Sequence, residues 1–448
     1  MRTGENLKIL IIGAGWAGLS CALQLAEQNH HITILEAAPQ AGGRARSINF
    51  GEDIVDNGQH LLIGAYSNFL NLLRKLNIPE QTVLKRIPFH LQMLQSNSQS
   101  TQTALSLKLE FPKLPSPLHL IMGFFNAKGL SFTEYLAITK FWQLLRKINF
   151  QLSEDITIKT FLHNANQPIS LIKNLWGPLA LAALSTPIEK ASAKVFLRVL
   201  KEVFNQKRHQ TDYLFAKCDL SELFSKPALN FLKTRGHEIL CSKRVTELVI
   251  EKNQCIGVKT NNQYFEADTV ILATPPKVAA KLLQSHTTCS NLYENLYKFT
   301  YQPITTVYLK YSNPIQFKTP MIGFIDSLSH WIFDRGFSGN PKILSVIITG
   351  EGEHLKMTQE ELLKIVSQEI KCYDPNLGNP IDYKVITDKQ AAFSCEVGIE
   401  SMRPSHITPV SNLFLAGDYT QTGYPATLEG AILSGIIVGA DLCVRPNL

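Results

Sequence analysis

The feature of the sequence that most restricts its fold is a glycine-rich turn directly after a short apolar run near the start. Residues 8–12 (KILII) are mostly apolar and β-branched, which is typical of a strand buried on both faces of a parallel sheet. The hexapeptide GAGWAG at residues 13–18 follows at once, and residues 19–28 are predicted to continue as a helix. A second apolar run occupies residues 31–35. This order predicts a βαβ unit of about 30 residues.

The spacing of the glycines indicates a dinucleotide-binding turn. Gly13 allows the tight turn, Gly15 lets the backbone approach a pyrophosphate, and Gly18 lets helix and strand pack closely. The phosphates would lie at the helix N-terminus, where free N–H groups attract anions, and Ala17 belongs to the same predicted contact. Glu36 stands 23 positions after Gly13, where its carboxylate can accept from both ribose hydroxyls and would repel a 2′-phosphate.

Two further motifs indicate which dinucleotide is bound. Gly43 and Arg44 follow Glu36 closely, and a guanidinium beside bare backbone suits pyrophosphate or flavin. Far along the chain, another short apolar run ends in Gly417 and Asp418, where the carboxylate can bind ribityl hydroxyls. The helix predicted from Thr427 would direct its N-terminus at the flavin pyrimidine. No second complete GxGxxG occurs, so the prediction is FAD without an NAD(P)H module.

The nucleotide-binding character is interrupted twice by segments of another kind. We assign residues 1–85, 225–285 and 400–448 to a discontinuous, Rossmann-like FAD-binding domain of the α/β class. Residues 86–224 and 286–399 form the predicted mixed α+β domain for substrate and membrane contact. The two domains are therefore expected to interlace.

The charge distribution leaves two interpretations open. From Lys113 to Lys217 there are 14 Lys and Arg against 6 Asp and Glu, a net +8 in a chain of net +7. Such an excess indicates either a solvated face or a patch that meets an anionic membrane. Base-reading motifs and zinc-finger spacings are absent, so we expect no nucleic acid partner.

Cysteine usage and hydropathy restrict the metal content and the location. The eight cysteines form no CxxC pair, which fits reduced thiols in the cytoplasm and predicts no metal site. No uncharged stretch reaches the ~18 apolar residues of a membrane span. We therefore expect a cytoplasmic protein, attached peripherally to the inner face of the membrane.

An apolar stripe at steps of three and four follows the predicted helix over residues 131–149. Its members are Tyr135, Ile138, Phe141, Trp142 and Leu145. Core packing is the commoner role of such a stripe. The alternative, which we take as the membrane face, is docking on anionic lipid together with the flanking Lys140, Arg146 and Lys147.

The Glu-then-GGR beginning and the Gly-Asp end resemble the superfamily of FAD-dependent amine oxidases and carotenoid desaturases. Within it, three motifs resemble the hydroxysqualene dehydroxylases of hopanoid pathways. These motifs are GAGWAG at residues 13–18, DNGQHLLIGAY at residues 56–66, and AGD at 416–418 together with GYPATLEGA at 423–431. One departure is Tyr419, where the family commonly has Trp after Gly-Asp.

The resemblance implies a reductive removal of an allylic hydroxyl from an apolar C30 isoprenoid. Hydroxysqualene would lose water while reduced FAD delivers hydride, giving squalene. Asp56 and His60 are the titratable candidates for the proton donor, and for His60 a structural role is the commoner alternative. Gly58 and Val245 join the implied cofactor contacts. An external electron donor is required, and no motif of the chain identifies it.

Three other functions share these motifs. A desaturase would run in the opposite direction, with oxidised FAD accepting hydride from a polyene. An amine oxidase would pair an aromatic cage with the flavin, and the apolar middle of the chain disfavours it. A non-enzymatic prenyl-binding escort protein needs no flavin, so the intact Gly13, Glu36 and Asp418 disfavour that class.

Overall fold

The computed structural model describes residues 6–96, 103–204 and 207–444. Within them are twenty β-strands. In chain order they are β1 (Lys8–Ile12), β2 (His31–Leu35), β3 (Ser47–Phe50), β4 (Asp53–Asp56), β5 (Leu62–Ile63), β6 (Leu84–Ile87), β7 (His90–Ser96), β8 (Thr103–Glu110), β9 (Tyr213–Ala216), β10 (Glu238–Leu240), β11 (Val245–Glu251), β12 (Gln254–Thr260), β13 (Tyr264–Glu266), β14 (Thr269–Leu272), β15 (Tyr301–Lys310), β16 (Met321–Ile325), β17 (Trp331–Asp334), β18 (Ile343–Thr349), β19 (Asp382–Phe393) and β20 (Leu413–Leu415).

The same described residues contain fifteen α-helices. They are α1 (Trp16–Leu25), α2 (Ser67–Lys75), α3 (Glu80–Val83), α4 (Leu118–Phe125), α5 (Phe132–Lys147), α6 (Ile158–Asn164), α7 (Ile169–Leu171), α8 (Gly177–Leu184), α9 (Ala193–Phe204), α10 (Lys226–Lys233), α11 (Pro276–Leu283), α12 (Ser290–Tyr297), α13 (Gln359–Tyr373), α14 (Ile399–Met402) and α15 (Leu428–Val444).

A five-stranded parallel sheet with the order β10-β2-β1-β14-β20 forms the first part of the molecule. All four residues of β14 are buried, as are the last four of β1 and of β2, because helices cover both faces. The five strands fall within residues 1–85, 225–285 and 400–448. The predicted α/β fold class is confirmed, whereas the exact domain boundaries stay a prediction.

Helix α15 packs on α1 through glycines that permit contact between backbones. A Cβ added to Gly435 would lie 2.2 Å from the carbonyl oxygen of Ala17, and one added to Gly439 would lie 2.6 Å from Cβ of Gln24. The Ser20 hydroxyl also donates to the Ile432 carbonyl at 3.1 Å. The end of the described chain is thereby fixed against the helix that follows the glycine-rich turn.

A seven-stranded sheet with the order β19-β15-β18-β17-β16-β7-β8 forms the second part. Its neighbouring strands are antiparallel except for β16 and β7, which are parallel. Helix α13 contributes to a core cluster on this sheet with Leu362, Val366 and Ile370. Another cluster joins Met93, Trp331 and other residues of the sheet to the helices between residues 118 and 204.

The short segment around β9 packs with the nucleotide-binding part. Strand β9 lies between β5 and β6 in a three-stranded antiparallel sheet. Phe224, just after this strand, contacts Trp16 of α1, with ring centroids 4.7 Å apart. Residues 213–224 thus connect the helical segment to the core around α1.

The stripe on α5 is part of the core, so its assignment as the membrane face is wrong. The exposed fractions of Ile138, Phe141 and Leu145 are 5%, 1% and 0%. The ring of Phe141 lies 4.8 Å from that of Trp176, centroid to centroid. The periodicity is the commoner kind that reflects packing against neighbouring helices. Among the described residues, no helix has the length and apolar character needed to cross a bilayer.

Candidate active site

The turn between β1 and α1 brings backbone atoms into close contact. Gly13 has a φ of +108°, and an added Cβ would lie 2.4 Å from the carbonyl oxygen of Ala273. A Cβ on Gly18 would lie 2.0 Å from the Gly13 carbonyl oxygen. Both positions therefore require glycine, and the turn has the close helix–strand packing expected of a dinucleotide site.

The N-terminus of α1 has the properties of an anion site. Its N-cap residue, Gly15, is extended and offers no side-chain cap, and no acidic residue lies in the first turn, which contains Ala17. Gly43, with a φ of +61°, approaches so closely that an added Cβ would lie 3.1 Å from Cα of Gly15. Uncapped N–H groups beside bare backbone fit the pyrophosphate of a dinucleotide.

Glu36 lies at the carboxyl end of β2 with its side chain turned back to the glycine-rich turn. One carboxylate oxygen accepts from the Ala14 N–H and the other from the Ala38 N–H, each at 2.8 Å. Each oxygen keeps a lone pair for a ribose hydroxyl. The Lys243 N–H donates to the Glu36 carbonyl at 2.8 Å, and the cofactor contact of Val245, two positions later, stays a prediction.

Arg44 and Asp418 form an ion pair that joins residues 374 positions apart. Arg44 Nη2 lies 2.6 Å from Asp418 Oδ2, and Arg44 Nη1 donates to the Ala391 carbonyl at 2.7 Å. The Asp418 side chain is only 7% exposed, whereas that of Arg44 keeps 39% of its surface accessible. The structure thus brings together two residues predicted to contact the cofactor from opposite ends of the chain.

A buried arginine that the sequence analysis missed holds the loop around Asp418. The Arg403 guanidinium donates to the carbonyls of Asp418, Thr420 and Tyr424 at 2.8, 2.8 and 2.6 Å. Its side chain has no exposed surface. Because these acceptors are backbone atoms, the identities of the residues around Gly417 do not indicate that Arg403 binds them.

Thr427 caps helix α15. Its hydroxyl accepts from the Gly430 N–H at 3.1 Å, three positions along, which is the usual N-cap contact. The predicted direction of this helix toward a flavin pyrimidine stays a prediction. The same first turn contains Glu429, whose side chain turns away to another helix.

Glu429 caps helix α2 from outside that helix. Its carboxylate accepts from the N–H groups of Asn68 and Phe69 at 2.8 and 3.1 Å, and from the Asn68 side-chain amide at 2.9 Å. The residue has 0% exposure, and burial raises its pKa to about 7. The sequence analysis assigned no role to Glu429, because a partner 361 positions away leaves no local pattern.

The Asp56 carboxylate is engaged in a buried network between the two parts of the molecule. It accepts from the Leu220 N–H at 2.8 Å and from Arg335 Nη1 at 3.1 Å. The Tyr308 hydroxyl donates to its backbone carbonyl at 2.9 Å. Burial raises the pKa of Asp56, and Arg335 acts against that shift. These contacts give Asp56 a positioning role, and its role as proton donor stays a prediction.

Four residues after Asp56, the ring of His60 lies in the electrostatic field of Arg44. Burial, reinforced by that guanidinium, lowers the pKa of His60 to about 4. Residues 57–61 are nevertheless only half-buried. At Gly58, an added Cβ would meet only Thr306 Oγ1, at 3.7 Å. His60 is therefore a neutral imidazole beside the Arg44–Asp418 pair, and its catalytic role also stays a prediction.

Comparison with known proteins agrees with this geometry. A family model described as flavin containing amine oxidoreductase matches residues 16–443. Relatives named hydroxysqualene dehydroxylase from Sinorhizobium fredii and Zymomonas mobilis are each 26% identical, covering 95% and 97% of this chain and 95% and 98% of their own. A zeta-carotene desaturase from Zea mays is 24% identical over 98% of this chain and 84% of its own.

A solved structure shares the fold at low sequence identity. Wild-type putrescine oxidase bound to putrescine gives a TM-score of 0.72 at 15% identity, covering 98% of this chain and 100% of that one. The predicted superfamily and the resemblance to the hydroxysqualene dehydroxylases are confirmed. The predicted cofactor, FAD, is confirmed by the flavin family together with a turn and a carboxylate that fit a dinucleotide.

Replacing Glu36 with arginine should abolish FAD binding. The carboxylate that accepts from Ala14 and Ala38 would become a cation with no acceptor for the ribose hydroxyls. We expect at least a tenfold lower ratio of flavin absorbance to protein in purified Glu36→Arg. Glu52→Arg, at an exposed position, is the control and should remain fully yellow. A Glu36→Arg protein as yellow as wild type would show that the ribose assignment is wrong.

Glu429 should make the protein less stable as the pH rises toward neutrality. The pKa of Glu429 is about 7 in the folded protein and near 4.5 in the unfolded chain. Between these pH values the folded protein therefore keeps a proton that the unfolded chain has released. The free energy of unfolding therefore falls between these two values, by about 3 kcal/mol from this group.

The test is denaturant unfolding of the wild type and of Glu429→Gln at about pH 5 and about pH 7. The variant lacks the titrating group and should lose less stability over this interval, whereas Glu52→Gln should follow the wild type. Equal pH dependence of wild type and Glu429→Gln would mean that Glu429 is ionised in the folded protein.

Proposed function

The chain belongs to the family of flavin-containing amine oxidoreductases, and from this membership we propose that it reduces hydroxysqualene to squalene with FAD. The observation that carries the proposal is the match to relatives named hydroxysqualene dehydroxylase, over nearly the whole length of both chains. Those from Sinorhizobium fredii and Zymomonas mobilis are covered over 95% and 98% of their own lengths. The zeta-carotene desaturase is covered over 84%, but a 15-cis-phytoene desaturase from Synechococcus elongatus is covered over 97%. The higher identity of the dehydroxylases, 26% against 24% and 22%, therefore favours the proposal.

The net reaction consumes a hydride and a proton. The C–O bond of the allylic alcohol breaks, a C–H bond forms at that carbon, and the oxygen leaves as water. When bound, FAD supplies the hydride chemistry. Glu36 and the turn at Gly15 would hold the adenosine and phosphate portions, and the Arg44–Asp418 pair would hold the portion nearer the flavin.

The residues of the chain would orient the leaving oxygen, and the proton that it takes up would come from solvent. His60 is neutral at pH 7, so its ring can donate a hydrogen bond to the leaving oxygen without bringing a second cation beside Arg44. The ion pair of Asp56 and Arg335 fixes the segment that precedes His60. A neutral imidazole suits a substrate whose only polar group is one hydroxyl.

An apolar groove supports an isoprenoid substrate. It has a volume of about 330 Å³ and lies between helices α7 and α8 and strands β16 and β17. This volume lies within the range of small-molecule sites. An ion pair of Lys173 and Asp326, at 2.5 Å, stands among its lining residues. The apolar lining includes Ile172, Leu181, Ile188, Phe324, Ile325 and Trp331.

A carotenoid desaturase is the second candidate, because desaturases also appear among the relatives at 22–24% identity. The likeness to putrescine oxidase concerns the fold alone, at 15% identity. An escort protein without flavin would have no use for the intact dinucleotide turn. The substrate and the direction of hydride transfer therefore distinguish a dehydroxylase from a desaturase.

The deciding experiment is anaerobic incubation of the chemically reduced holoenzyme with detergent-dispersed hydroxysqualene. We expect squalene as the product by gas chromatography and mass spectrometry, and no product from oxidised holoenzyme with phytoene. The Glu36→Arg protein is the flavin-free control. Desaturated phytoene without any squalene would replace the proposal with the desaturase, and reduction of the flavin by putrescine would replace it with an amine oxidase.

The two candidate proton donors should respond differently to substitution. His60→Ala should lower kcat about a hundredfold at equal flavin content, since it removes the hydrogen-bond donor to the leaving oxygen. Asp56→Asn should instead lower the free energy of unfolding by about 3–5 kcal/mol, because it leaves the buried Arg335 without a charged partner.

Both variants are measured as rate per bound flavin and by denaturant unfolding. Wild-type turnover by His60→Ala would show that the His60 ring makes no catalytic contact with the leaving oxygen. A slow but fully stable Asp56→Asn protein would make Asp56 the donor and contradict its positioning role.

A further inference from the structure

Helix α4 is apolar on both of its faces. On the inner face, Gly123 approaches Phe111 so closely that an added Cβ would lie 2.2 Å from the ring. His119 and Leu120 are also buried. The outer face consists of Leu118, Ile121, Met122 and Phe125, which are 50%, 52%, 38% and 71% exposed.

These four exposed positions follow the spacing i, i+3, i+4 and i+7, which places them along one side of a helix. The pattern is the reverse of an ordinary surface helix, whose outer side is polar. A contiguous apolar stripe facing water marks a contact with another apolar phase.

The exposed apolar residues continue into the next helix. Phe132 and Leu136, at the beginning of α5, are 76% and 43% exposed. Of the eighteen large apolar side chains exposed in the described part of the chain, eight lie between residues 114 and 169. This concentration distinguishes the region from the scattered exposure normal for a protein surface. We call the four residues Leu118, Ile121, Met122 and Phe125 the α4 surface.

Cationic side chains predominate around the α4 surface. Residues 111–133 contain no Asp or Glu, and Lys113 and Lys128 are exposed on either side of α4. Lys128 also lines a cavity of about 400 Å³ together with Lys108, Glu110 and Asn126. Ammonium groups bordering an apolar stripe are complementary to a layer of acyl chains under anionic headgroups.

We propose that the α4 surface inserts into the interfacial region of an anionic phospholipid bilayer. The proposal rests on the proposed function, since a C30 hydrocarbon resides in the bilayer. A second copy of the chain would fit the α4 surface less well than a bilayer does. An isologous contact would bring Lys113 and Lys128 of both copies together, and the neighbouring Glu110 is already paired with Lys108.

The experiment measures sedimentation of the holoenzyme with vesicles of phosphatidylcholine alone or mixed with phosphatidylglycerol. The test variant is Ile121→Glu/Phe125→Glu. Its matched control is Tyr297→Glu/Ile381→Glu, which places two carboxylates at apolar positions that are 63% and 62% exposed elsewhere. Lys113→Gln/Lys128→Gln tests the charges separately.

We expect wild type and control to bind the anionic vesicles at least tenfold more tightly than Ile121→Glu/Phe125→Glu. Lys113→Gln/Lys128→Gln should bind anionic vesicles more weakly and neutral vesicles as the wild type does. Raising the salt from about 0.1 M to about 1 M should weaken anionic binding in the same way, because it shortens the Debye length to about 3 Å.

Equal vesicle binding by wild type and Ile121→Glu/Phe125→Glu would overturn the proposal. So would a wild-type dimer in sedimentation velocity that the variant abolishes, without vesicle binding by either protein. Flavin content and turnover of detergent-dispersed hydroxysqualene should be unchanged in the variant. Failure of the wild type to turn over that substrate would overturn the proposed function and leave the vesicle result standing.

Discussion

The nucleotide-binding part depends on direct contact between backbone atoms at the turn between β1 and α1. No side chain fits at Gly13 or Gly18, so strand, helix and the neighbouring β14 are held at a single spacing. The other cofactor contacts are arranged around this point. Glu36 accepts from the Ala14 N–H, Gly43 approaches Gly15, and α15 packs on α1 through Gly435. Together these contacts leave the N–H groups at the beginning of α1 accessible to an anion.

The parts of this arrangement that follow from local chemistry could be predicted from the sequence. Strands β1 and β2 have the predicted bounds, because a strand buried on both faces must be continuously apolar. The glycines and Glu36 were predictable because each serves a backbone or ribose contact within one βαβ unit. The stripe on α5 shows the limit of such patterns. Its period indicates one apolar face, but only the tertiary structure shows that Trp176 covers this face.

The contacts that hold the site together could not be predicted, because their partners are remote and mostly backbone. Arg403 binds three carbonyls of the loop after β20, and Arg335 binds Asp56 across 279 positions. Neither arginine belongs to a motif. Burying a guanidinium is costly unless its donors are occupied, so each of these residues enforces one conformation of the segment it binds. The geometry that a flavin site requires therefore rests on residues that sequence patterns do not mark.

The ion pair of Arg44 and Asp418 has a consequence for how the protein is made. Its two residues are separated by 374 positions, and the sheet between them takes strands from both ends of that interval. A chain emerging from the ribosome therefore exposes its glycine-rich turn long before the carboxylate that completes the site has been synthesised. Cofactor loading must follow translation, and the growing chain must keep an unfinished parallel sheet from aggregating until the last strand, β20, arrives.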